Sequence, residues 1–289
     1  MDSERDQKKS ESQIMREQNA EFEITRSKKK AQFLRDFNEE VNCNDTIDEY
    51  QMEQLDRYER FEKSFPFYKM DVNGYMVLMQ RAMRLTYKSE PDRPMWQIKH
   101  ITLEAMQEAF KNNKTWTAAL GQVKPPSEMI RFLNDTCRVD GSPEFKDVDK
   151  NAYSVRKLKC VGLLWCDGSN KEKVVELYDM IQDNNQSRIA ADDKDFRKNL
   201  FLIFDFASTF CFKFEMIYMN TNETARTPGQ DEIERVRSET YDELCEEFLD
   251  LIFEYDAVLG RDEWEKEVLA KQTYLFDPLS IRKKLGYRI

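Results

Sequence analysis

An all-α fold is what this 289-residue sequence predicts, on three observations. Glycine and proline number only 8 each, too few for the many tight turns of an all-β chain. Charged residues make up 35% and hydrophobic residues 40%, the balance of solvated helices wrapped around apolar stripes. In the second half, apolar residues recur at the i, i+3, i+4, i+7 spacing of a single helix face. The length suffices for one large domain or two small ones, each with its own core.

Taken in order, residues 1–64 are dense in charge, with Ile24, Ala31, Leu34 and Val41 at loosely heptad spacing. They predict a charged helical or partly disordered extension, in which Arg26–Lys30 forms a local basic patch on a solvated face. From Phe65 the composition shifts to methionine and aromatics. Met76, Met79 and Met83 share a helix face and read as gap-filling core. Residues 65–157 are expected to form a first helical pair, and 158–289 a second pair with a terminal helix.

The second pair is the more regular. Val174, Leu177, Tyr178 and Ile181 line one stripe; Phe196, Leu200, Ile203, Phe204 and Ala207 line the next. After the breaker-rich "NTNETARTPGQDE", a third stripe carries Tyr241, Leu244, Cys245, Phe248 and Ile252. The order is helix, loop, helix, linker, helix, loop, helix. At the end, Asp277 is placed to cap a helix opened by Pro278, with Lys283 and Lys284 before Gly286.

A net charge of −10 and a pI near 5.0 argue against general affinity for nucleic acid or anionic lipid. No run is long and apolar enough for membrane insertion, the start is no secretory leader, and Asp2 excludes N-myristoylation. The Asn-x-Thr sequons at Asn44, Asn113, Asn134 and Asn222 are then chance matches in a cytoplasmic chain. Cys43, Cys137, Cys160, Cys166, Cys211 and Cys245 are scattered without a Cys-x-x-Cys. With His100 as the one histidine, they read as free core thiols rather than a zinc site. No phosphate loop, nucleophile elbow or metalloprotease motif is present, which predicts a non-enzyme.

The segment "VGLLWCDGSNKEKVVELYDMI" resembles EF-hand proteins of the neuronal-calcium-sensor type. There a Leu-Leu-x-Gly turn leads into a helix opened by Glu-Lys; here the matching residues are Leu163, Leu164, Gly168, Glu172 and Lys173. In the fourth unit, "VLGRDEWEKEVL", Leu259 takes the loop's central apolar position and Glu263-Trp264 the terminal pair. "VDKNAYSVRKL" reads as the close of a second unit, with Val148 central and Ala152-Tyr153 terminal. "ITLEAMQEAF" reads as the close of a first, with Ile101 central and Ala105-Met106 terminal. The resemblance covers about residues 70–275 and implies paired helix–loop–helix units joined by short β-bridges, Ile189 opposite Leu259.

Calcium requires oxygens from loop positions 1, 3, 5, 7 and 9, glycine at 6 and a bidentate glutamate at 12. With Ile189 at position 8 of the third loop, Gln182, Asn184 and Gln186 fall at 1, 3 and 5, Ser187 at 6 and Asp193 at 12. Starting at Asp183 instead supplies Asn185 and Ser187, but puts Arg188 at 6 and Lys194 at 12. The fourth loop opens on Ile252 and leaves Glu254, Asp256 and Glu263 as a residual acidic cluster. The second loop offers Gly141, Pro143 and Phe145, and the first Pro94, Trp96 and Ile98.

The expectation is therefore a scaffold without a cofactor, whose core accepts an amphipathic partner helix or docks into a larger assembly. Leu177, Tyr178, Ile181, Ile189, Phe196, Leu200, Phe204, Phe248, Ile252, Leu259 and Trp264 are the candidate groove and core residues. Leu279, Ile281 and Leu285 are expected to cover that groove as a built-in ligand. Two alternatives remain: a calcium sensor using a divergent third or fourth loop, and a structural component associated with cytoskeleton or cilium.

Overall fold

The computed structural model describes residues 62–63, 65–121, 127–142, 145–146, 148–182, 188–218, 230–254 and 256–284. For 128, 210–218, 230–239 and 283–284 it describes the backbone alone. The expected extension over 1–64 lies outside the described residues, except Glu62 and Lys63. Among the described residues the chain is mostly helical, with ten α-helices and two antiparallel sheets of two short strands each.

In the first half, a 3-10 turn (Pro66–Lys69) precedes α1 (Val72–Thr86), β1 (His100–Ile101), α2 (Leu103–Phe110), α3 (Lys114–Gly121), α4 (Glu128–Thr136) and β2 (Tyr153–Ser154). The starts of these helices follow from capping chemistry: Asp71, Thr102 and Ser127 each accept a hydrogen bond from a first-turn amide, satisfying a donor that the helix itself cannot. Asn113 does the same for α3, taking the amides of Thr115 and Trp116. The methionine face of α1 is core, as its spacing predicts, with Met76, Met79 and Met83 buried. Around it Phe67, Tyr75, Phe110 and Trp116 interlock, Phe67 edge-on to Trp116 at 4.9 Å.

The second half contains α5 (Val155–Trp165), α6 (Asn170–Ile181), β3 (Ile189–Ala190), α7 (Lys194–Tyr218), α8 (Gln230–Ile252), β4 (Val258–Leu259) and α9 (Arg261–Lys271). A 3-10 turn (Thr273–Phe276) and α10 (Pro278–Lys284) end it. Ser169 and Glu172 form a reciprocal capping box at the start of α6. Asp277 accepts the amide of Ser280 at 3.0 Å, so α10 opens where its Asp-Pro signal places it.

β1 pairs with β2 as His100 opposite Ser154 and Ile101 opposite Tyr153. This corrects the second unit's register: Tyr153, not Val148, stands opposite Ile101. The physical reason is what each side chain reaches. Tyr153 is buried and its hydroxyl donates to Asn134 of α4 at 2.8 Å, whereas Val148 is only half-buried. β3 pairs with β4 as Ile189 opposite Leu259, the register expected from their central loop positions.

Residues 60–289 form one compact unit, and the two helical halves meet along α1, α5 and α6. The amide of Val72 donates to the carbonyl of Asp167 at 2.7 Å, and that of Asp167 to Met70 at 3.0 Å. Two glycines permit this approach. A Cβ on Gly162 would lie 2.4 Å from the Tyr75 ring, and Gly168 holds a φ of +149° beside Val72. No described helix is long and apolar enough to cross a membrane.

Candidate functional site

The apolar stripes of α6, α7, α8 and α9 converge beneath the β3–β4 pair. All eleven expected groove and core residues are buried: Leu177, Tyr178, Ile181, Ile189, Phe196, Leu200, Phe204, Phe248, Ile252, Leu259 and Trp264. Trp264 is the hub. Its ring lies edge-on to Phe196 at 5.3 Å and within 6.3 Å of Phe248 and Tyr178, and its indole N–H donates to the Val174 carbonyl at 3.2 Å.

The core is closed rather than open as a groove. The Thr273–Phe276 turn packs against α5, α6 and α9, and α10 lies on α7. Of the three residues expected to cover the groove, Ile281 is fully buried, Leu279 is half-buried, and Leu285 lies outside the described residues. Leu275 and Phe276 are buried beside them. Lys173, itself buried, donates to the Phe276 carbonyl at 3.3 Å and fastens the turn. Desolvation by that burial holds its ammonium pKa below the usual lysine range.

Among the expected metal ligands, Asp193, Glu254 and Glu263 have other partners. Asp183, Asn185 and Ser187 lie outside the described residues. Asp193 caps α7, its Oδ1 accepting the amides of Asp195 at 2.8 Å and Phe196 at 3.1 Å. Glu263 turns back on the start of its own helix, accepting the Gly260 amide at 2.8 Å, and receives Arg188 at 3.3 Å. These bonds, the amide first, hold its carboxyl below the ordinary glutamate range. Glu254 is bound to Lys271 at 3.1 Å, and Asp256 is exposed.

Among the described residues no three His, Cys, Asp or Glu side chains stand where one ion could be shared. The acidic cluster expected of Glu254, Asp256 and Glu263 therefore does not assemble. Capping and ion pairing direct Glu263 and Glu254 to different partners.

Three contacts escape the sequence-based reading. Arg261 of α9 bonds both carboxylate oxygens of Asp179 on α6 at 2.5 Å and sits over the Tyr178 ring, 5.7 Å from its centroid. Arg156 of α5 reaches Asp195 of α7 at 3.1 Å. The third is fully internal: Arg282 of α10 pairs with Glu62, which lies ahead of α1. A signal for it is present, because Pro278, Ile281 and Arg282 fall at i, i+3 and i+4, and all three are buried.

His100 is half-buried in β1 with the Tyr87 hydroxyl 3.1 Å from its Nε2. Burial, then the nearby Arg93, lower its pKa. Among the described residues Cys137, Cys160, Cys166 and Cys245 are buried and in no disulfide, and desolvation pushes Cys160 and Cys245 up to about 12, which keeps both protonated. Compared with protein-family models, curated proteins and solved structures, the chain matches none.

Proposed function

We propose that this chain is a non-catalytic, EF-hand-like binding module that docks an amphipathic helix of a partner, or part of a larger assembly, without calcium. One observation carries the reading: Arg188 bonds the Glu263 carboxylate directly beside the Ile189–Leu259 pair. Glu263 holds the position from which a calcium loop supplies its bidentate ligand. A guanidinium of the chain itself supplies positive charge there, and supplies it permanently.

The pair is exposed, Arg188 by 56% on its side chain, so it contributes position more than stability. Stability of the loop pair comes instead from the apolar cluster around Ile189, Leu259 and Trp264. Each such large side chain contributes about 1.5–3 kcal/mol when fully buried. The face of α7 that α10 covers is the surface offered to a partner helix. The paired loops hold that face in place rather than switching it.

Isothermal calorimetry with calcium tests the reading, with Trp264 emission as a second readout and a Trp264→Phe variant as its blank. The expected result is no saturable heat and no spectral change at millimolar calcium. Saturable heat with a Trp264 response would replace the module by a calcium sensor.

A further inference from the structure

The contact that anchors α10 is chemically unusual. Glu62 is 3% exposed and Arg282 7% exposed, so a full ion pair is removed from water at the meeting point of four segments. The guanidinium faces both Glu62 oxygens, with Nη1 3.4 Å from Oε2 and the second nitrogen bonded to Oε1. Its Nε donates to the Ala207 carbonyl of α7 at 2.6 Å. From α5, the Trp165 indole N–H donates to the same Glu62 oxygen at 3.1 Å. Ile281, one residue before, is fully buried, and α10 lies on α7.

We propose that Glu62, the Ala207 carbonyl and the α7 face beneath Ile281 form an exchangeable arginine socket. In the free protein α10 fills it, and an amphipathic helix carrying an aliphatic–arginine pair fills it from a partner. This inference names the partner chemistry for the docking function proposed above and rests on it. The chain's own occupant defines the chemistry required: one aliphatic side chain against α7, followed by a guanidinium to neutralise Glu62.

Charge makes the exchange all-or-none. If α10 leaves without replacement, Glu62 stays buried without its cation, and an unpaired buried charge is strongly unfavourable. Either an incoming arginine takes its place or Glu62 leaves as well, releasing the Trp165 indole. Lysine is a poor substitute, because a point charge cannot reach both carboxylate oxygens and the Ala207 carbonyl together.

The test uses the full chain and a synthetic peptide of residues 272–289. In Arg282→Gln, hydrogen exchange of α10 amides should accelerate by about a hundredfold or more while α6 stays protected. The peptide added in trans should then bind this variant and return the Trp165 indole resonance to its wild-type position. The same peptide carrying R282K should bind at least about tenfold more weakly. Glu62→Leu combined with Arg282→Met, which removes both charges, should keep α10 protected and refuse the peptide.

Unchanged α10 protection in R282Q overturns the socket, as does equal binding of the peptide to wild type and variant. If R282Q fails to fold, the double apolar variant decides: exposed α10 there overturns the proposal. A socket that works with its own peptide while no partner helix binds the wild-type chain would sink the docking function and leave the socket standing.

Discussion

Asp193 illustrates how a residue type with two uses is resolved by its neighbours. By position it is the twelfth residue of a loop centred on Ile189, where a ligand belongs. In the fold its carboxylate accepts two amides at the start of α7, the work of a helix cap. Asp193→Ala should therefore lose about 0.5–2 kcal/mol of stability in urea unfolding, by the same amount with calcium or with chelator. A loss seen only with calcium would return Asp193 to the ligands. The sequence made the position legible but not the role, because carboxylates serve both purposes and only the direction of the amides distinguishes them.

At the scale of elements, the loop pair was legible where apolar residues define it. Ile189 and Leu259 each take the central apolar position of their loop, and their burial, against the exposed Val258 beside Leu259, enforces the register. The β1–β2 pair was misread by five residues, since Val148 and Tyr153 both suit a strand and the deciding contact, Tyr153 to Asn134, is long-range. The cross-links Arg188–Glu263 and Arg261–Asp179 were illegible in a chain with 55 acidic and 45 basic residues, where most pairings are equally available.

Glu263 also gives the loop pair a pH dependence. Its folded carboxyl titrates below the unfolded value, so it contributes stability above about pH 4.3 that is lost as the pH falls through the lower folded value. Urea titrations between pH 7 and pH 3 should show this loss, and Arg188→Gln should make it smaller. An unaltered pH profile in that variant would mean that the Gly260 amide alone sets the effect.

For the whole molecule, helical content followed from composition and periodicity. The way the halves join did not. The approach of α1 to α5 depends on Gly162 lacking a side chain beneath Tyr75, and the closure of the C-terminal end depends on Lys173, Glu62 and Arg282. These are single residues whose partners lie 87 to 220 positions away, or 103 for Lys173 and Phe276, and no local pattern encodes such distances. The resulting body has a closed core, loops cross-linked by its own arginines, and a C-terminal helix seated on α7.

The most direct test of this account is hydrogen exchange at the β3–β4 pair, read at the Ala191 amide that donates to Ala257 and at Ile189 and Leu259. These amides should show the same strong protection in chelator as in millimolar calcium. Amides that exchange freely in chelator and become protected only when calcium is added would contradict it.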